Sequence, residues 1–398
     1  MPSFDLISQL TPTDQRTSPN EVKTHPQEDV RFQTPIMYGK SASSEEDAPY
    51  QTPICDLKEP APLSVDKHKP QENQHRRRTI KLPDIMCSPY AHKKVRLFKS
   101  LSREENKIAD TIFAAVKNEW NEVFQTQHGA AVPRVSFESL YPNVEVHISV
   151  LKCWASVLNS EDKFRNKRDP TRFFCSCNML GDKDFEKSVE ESSRITTFNA
   201  NMESCLREAN MDTLIGIDLV FIPILHSKHY YLICYNLKKA LVDVIDNLGR
   251  NVEFDSKYAF RPQIMQNTLC NYLEMTSHPI ASKLRKCEPK ILEMPWRTVN
   301  NSVDCGIFVM RHMETYKCTT IKDWKPKCGL AGESEYQKTQ LVDLRMKYLA
   351  KILLSDINIR KGVVISEVRE YSKRPTEERE AMKANMFERI TTRVNNAL

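Results

Sequence analysis

Three short apolar runs close together in mid-chain restrict this protein more than any other feature. Residues 215–224 (IGIDLVFIPI), 230–235 (YYLICY) and 240–245 (ALVDVI) are rich in β-branched and aromatic side chains. Their length and composition suit buried strands. Only Asn236, Leu237, Lys238 and Lys239 separate the second run from the third, so those two form a hairpin. Helical periodicity flanks them. Ile108, Ile112, Ala115, Val116 and Trp120 recur at helical intervals within 103–126, and Ile148, Leu151, Val157 and Leu158 within 146–158. Further helices are expected over 307–316 and 337–354, the latter carrying Leu341, Leu344, Tyr348 and Ile352 along one face.

Composition separates this core from its ends. Of the 398 residues, 40% are hydrophobic, enough for one sizeable domain or two modest ones plus tails. Twelve of the 22 prolines fall in residues 1–100 and Gly39 is the single glycine there, so that stretch reads as a disordered, basic linker. Order is expected from about residue 101 to 355. Residues 356–398 read as a tail with a short amphipathic helix: Met382, Met386 and Ile390 repeat every four residues, and Glu377, Glu378 and Glu380 occupy the first turn, where the helix dipole favours them.

Several function classes are disfavoured. A net charge of +6 is a weak pointer to acidic partners and does not imply a nucleic-acid ligand. The longest apolar run, Leu214 to Leu225, is interrupted by Asp218 and too short to span a bilayer. The start, MPSFDLISQLTPTDQ, lacks a secretory pattern, and the twelve cysteines contain no Cys-x-x-Cys, so a reducing compartment is expected. Cys318 and Cys328 near His312 lack a second tight pair to complete a zinc site. Basic clusters at 75–81 and 93–96 look like a two-part nuclear import signal.

The hairpin carries the first chemistry. A turn centred between Leu237 and Lys238 puts Asn236 opposite Lys239 and, further out, His229 opposite Asp246. Directly opposed residues share a face with Cβ atoms about 4.5–5.5 Å apart, so a carboxylate there can orient an imidazole and support its positive charge. His226 is a rival base outside the mirrored position. Cys305 stands where the polar Asn301-Ser302-Val303-Asp304 leads into an apolar helix. A sulfur at a helix N-terminus beside an imidazolium is favoured as thiolate, the nucleophilic form. Gly306 is expected to clear a path for a substrate backbone.

In combination these segments resemble the SUMO-specific, ubiquitin-like-modifier cysteine proteases, in particular their divergent plant members. The matching residues are Ile222-Pro223-Ile224, His229-Tyr230, Asp246-Asn247-Leu248 and Asn301 through Phe308. The order His, Asp, Cys separates this family from papain, in which the cysteine comes first. The resemblance covers about residues 140–355. It implies an α+β, papain-like fold, with a small twisted, mostly antiparallel sheet packed on helices and the nucleophile at a central helix N-terminus. It also implies Cys305, His229 and Asp246 as catalytic residues and no cofactor. The reaction implied is hydrolysis after the C-terminal Gly-Gly of SUMO or a related modifier.

The sequence departs from the family pattern at three places. Val299 stands where the family carries an oxyanion-donating glutamine; Asn300 and the Cys305 backbone N–H are the expected replacements. His-Trp becomes His229-Tyr230, with Tyr230 kept as an aromatic lid. Glu145 replaces the tryptophan on the other wall of the substrate tunnel, where Trp296 is a candidate to compensate. These departures support a second reading, a weakly active protease-fold binding module, with mobile-element origin as one source.

Overall fold

The computed structural model describes residues 94–97, 99–177, 179–249, 254–299 and 301–397. The basic cluster at 75–81, nearly all of the expected linker, and Asn300 lie outside the described residues.

In chain order the described elements are α1 (Arg103–Ala114), β1 (Glu122–Phe124), β2 (Val132–Pro133), α2 (Arg134–Glu138), α3 (Ile148–Asp162), β3 (Arg172–Phe174) and α4 (Glu191–Glu208). Next come β4 (Leu219–His226), β5 (His229–Asn236), β6 (Leu241–Ile245), α5 (Phe254–Tyr258), α6 (Arg261–Met275), α7 (Ala281–Leu284) and β7 (Lys290–Ile291). The remainder is helical: α8 (Cys305–Thr315), α9 (Ile321–Cys328), α10 (Glu335–Leu353), α11 (Lys361–Lys373), α12 (Thr376–Lys383) and α13 (Met386–Ala397).

The main sheet runs β3-β4-β5-β6-β7; its three central strands are antiparallel, and β3 and β7 flank them in parallel. Both faces are covered, which is why the strands read as unbroken apolar runs. Along β5, Tyr230, Leu232 and Cys234 point into one core with Trp154, Phe308 and Leu344. Tyr231, Ile233 and Tyr235 point into the other with Phe198, Met265 and Leu269. Pro223 is tolerated in β4 because β3 pairs only with Leu219 through Phe221, so no ladder partner flanks the proline on that side. The fold is α+β and papain-like, as expected.

Two sequence-based details change. The helix expected over 103–126 ends at Ala114; the chain reverses at Asn118 (φ 68°), and Val116 and Trp120 are exposed. The helix stops where its C-cap Ala115 leaves the helical region (ψ 114°), and asparagine tolerates the left-handed backbone of the following turn better than most residues. The segment 356–398 forms three helices, and Asn385 (φ 54°) interrupts the four-residue repeat between α12 and α13. Ile390 and Val394 of α13 are fully buried in the core that holds Ile112 and Phe137.

Candidate active site

The β4–β5 connection is a two-residue turn with Ser227 (φ 48°) and Lys228 (φ 62°) both left-handed, the twist that matches tightly joined strands. It makes His229 the first residue of β5. At the other end of the hairpin, the turn differs from the expected one. Asn236 pairs with Leu241 and Leu232 with Ile245, so four residues form the loop, and each β5 residue faces a partner two positions later than expected. Asn236 stabilises the wider loop: its Oδ1 accepts from the backbone N–H groups of Lys238 and Lys239.

A shift of two residues preserves the face, because side chains alternate with a period of two. His229 and Asp246 are therefore diagonal rather than opposed, yet still meet. His229 Nε2 lies 2.8 Å from Asp246 Oδ1. Asp246 is buried, and its oxygens are saturated. Oδ1 also accepts from Leu248 N–H at 2.8 Å, while Oδ2 accepts from Tyr258 Oη–H at 2.9 Å and pairs with Lys257 Nζ at 2.9 Å. Burial alone raises this carboxyl's pKa; the His229 bond and charge, Lys257 and the Leu248 N–H outweigh it and bring it down to about 2. An ionised acceptor places the ring proton on Nε2 and leaves Nδ1 for another partner. For His229, burial pulls the pKa down, and the Asp246 and Cys305 interactions raise it to about 9.

Cys305 opens α8, every residue of which is buried. Its Sγ, only 3% of the residue being exposed, lies 4.0 Å from the Lys228 carbonyl and 3.8 Å from that of Ser302. The lead-in is a closed turn. Asn301 Oδ1 accepts from Asp304 N–H, and Asn301 Nδ2 donates to Asp304 Oδ2. Asp304 occupies the N-cap position but does not cap the helix with its side chain. The other carboxylate oxygen is held by buried Arg345, whose guanidinium also donates to the carbonyls of Ser139, Tyr141 and Val303. The positive end of α8 is thereby left without a capping side chain beside the sulfur.

The remaining expected site residues have other settings. Gly306 packs closely: a Cβ there would lie 2.7 Å from Val146 Cβ. Tyr230 is buried, and its hydroxyl donates to the Val146 carbonyl at 3.0 Å. Trp296 is fully buried instead of lining a tunnel; its indole N–H donates to His312 Nε2 at 3.1 Å, and its ring packs edge-on against Trp324. Burial lowers the His312 pKa to about 3, so that ring is neutral. Val299 is exposed, with its N–H on Glu333. Cys318 bonds Asn236, Cys328 is buried, and no cluster of three metal-ligating side chains occurs among the described residues. His226, the rival base, pairs with His229 across the turn. Lys257, Tyr258, Arg345 and Val146 escaped sequence reasoning, because each reaches the site from an element with no motif of its own.

This arrangement, a helix-terminal sulfur beside a strand histidine on a covered sheet, belongs to the papain-like cysteine protease fold. Residues 176–348 match the model of the Ulp1 protease family, C-terminal catalytic domain. Among solved structures, it is similar to the yeast C-terminal Ulp1 protease domain in complex with Smt3, the yeast orthologue of SUMO. That similarity is 14% identity, covering 66% of this chain and 100% of that one, with TM-score 0.45. It is also similar to the Chaetomium thermophilum Ulp1-like SUMO protease catalytic domain, at 19% identity over 66% of this chain and 92% of that one, with TM-score 0.42. Comparison with curated proteins gives no match.

Proposed function

We propose that this protein is a cysteine peptidase that hydrolyses the peptide or isopeptide bond after the C-terminal Gly-Gly of SUMO or a related ubiquitin-like modifier. The observation that carries this reading is the 2.8 Å contact between His229 Nε2 and buried, ionised Asp246, on a ring that also interacts with Cys305. Cys305 Sγ attacks the glycine carbonyl, forming a thioester as the amine leaves with a proton from His229. Water then attacks the thioester, His229 takes its proton, and the thiol returns. The N–H of Cys305 and the end of α8 face the oxyanion. Asn300, outside the described residues, is the side chain proposed as the second donor. The substrate partner is the modifier and its conjugates, and the basic clusters at 75–81 and 93–96 favour the nucleus.

A glycyl-glycyl vinyl or aldehyde probe tests the reading. Covalent labelling of Cys305, lost in His229→Ala, is expected; an unlabelled wild-type chain would remove the hydrolase assignment. One observation favours a second reading, a modifier-binding module with little turnover: Val299 offers no side-chain donor where glutamine is usual. Modifier binding without labelling would support that reading.

A further inference from the structure

We propose that Glu145 is a specificity-determining residue that selects modifier tails bearing arginine or lysine immediately before the glycine pair. The proposal rests on the peptidase reading above.

Glu145 is exposed, while Val144 and Val146 on either side of it are buried. The alternation fixes the direction of the segment. Val146 is pinned twice against the nucleophile: its side chain fills the space over Gly306, next to Cys305, and its carbonyl accepts the Tyr230 hydroxyl beside His229. An extended chain turns successive side chains to opposite faces, so Glu145 projects outward from this seam. One position from Val146, which packs over Gly306 beside Cys305, the exposed Glu145 stands at the rim of the same site. The rest of the protein does not occupy it: among the described residues no hydrogen bond or ion pair is made by the Glu145 side chain.

A tail whose last glycine carbonyl reaches Cys305 Sγ must approach past this rim. In an extended tail the residue before the glycine pair lies two residues from the reacting glycine, roughly 7 Å away at ~3.3 Å per residue. A guanidinium or ammonium on that residue can span the remaining distance to a rim carboxylate, whereas a carboxylate there would meet like charge. An exposed pair of this kind is worth up to about fivefold in affinity.

The test uses the full chain and modifier fusions that differ only at the residue before Gly-Gly: arginine, glutamine or glutamate. For wild type, kcat/KM is expected to favour arginine over glutamine about fivefold and to be lowest for glutamate. Glu145→Gln should flatten the series, and Glu145→Lys should invert it. An unchanged order in both variants would overturn the proposal. Binding of the same tails to Cys305→Ala separates this idea from the one beneath it. An arginine preference in binding, erased by Glu145→Gln, with no cleavage by wild type, sinks the peptidase reading and sustains the charge selection. Equal binding of all three tails sinks the charge selection even if cleavage is rapid.

Discussion

Arg345 draws the carboxylate of Asp304 off the end of the helix that Asp304 precedes. The guanidinium, buried in α10, donates to Asp304 Oδ1 and to three backbone carbonyls, and Asn301 holds the other carboxylate oxygen. An aspartate at an N-cap ordinarily accepts from the helix's own N–H groups. Here that option is closed, and the positive end of α8 stays open beside Cys305.

Arg345→Met should therefore be strongly destabilising, by about 3–5 kcal/mol, because a carboxylate and three carbonyls lose their donor at once. Denaturant unfolding of the purified chain measures this. A loss under about 1 kcal/mol would mean that water replaces the guanidinium, and that the arginine does not organise the turn.

The His229–Asp246 pair predicts a pH window. His229 is raised from 6.5 to about 9, so its contribution to stability is complete below pH 6.5 and disappears as pH rises through 9. Asp246 is lowered from 3.8 to about 2, so its contribution is present above pH 3.8 and disappears as pH falls through 2. The stability difference between wild type and Asp246→Asn should then peak between pH 3.8 and 6.5 and shrink on both sides. Urea titrations across that range test it, and a flat difference would contradict the pairing.

The same substitution should slow probe labelling of Cys305, on the order of 10³–10⁴-fold, by unfixing the tautomer of His229. Stopped labelling time courses at neutral pH give the rate directly. Retention of the full rate would show that the carboxylate does not orient the ring.

Gly306→Ala places a methyl against Val146 and should cost about 1–3 kcal/mol. Val146→Ala on its own opens a gap in the same place. Combined, the two should be less destabilising than the sum of the single variants, because one methyl fills what the other vacates. Thermal unfolding of the four proteins in the cycle decides it; strict additivity would mean that the two residues do not share the space.

Deleting residues 386–398 should destabilise the domain by ~4 kcal/mol or more. It removes two buried aliphatic side chains, Ile390 and Val394, and leaves buried Glu138 without the Arg393 guanidinium 2.9 Å away. Burial already raises the Glu138 pKa against the pull of that arginine. An unaltered unfolding midpoint after truncation would make the segment an appendage after all.

Some of this was legible in the chain. Strand identity in β4, β5 and β6, the helix that begins at Cys305, and the shared face of His229 and Asp246 all follow from side-chain period and short-range spacing. Period is local, and an error of two residues in the turn left the faces unchanged. The packing of glycine 306 and tryptophan 296 was not legible, for the opposite reason. Nothing local distinguishes a glycine cleared for substrate from one pressed by Val146, 160 positions earlier, or a tunnel indole from one bonded to His312 in the core.

By itself, then, the sequence determined the strands, the helix that begins at Cys305 and the alternation that joins an imidazole to a carboxylate, because each depends on backbone periodicity over a few residues. Tertiary structure alone decided which cations hold Asp246 and Asp304, which side chain fills the space over Gly306, and that the last helix completes the core. Those contacts join elements far apart in the chain, and they are selected by volume and by hydrogen-bond saturation in a closed interior, which no linear spacing encodes.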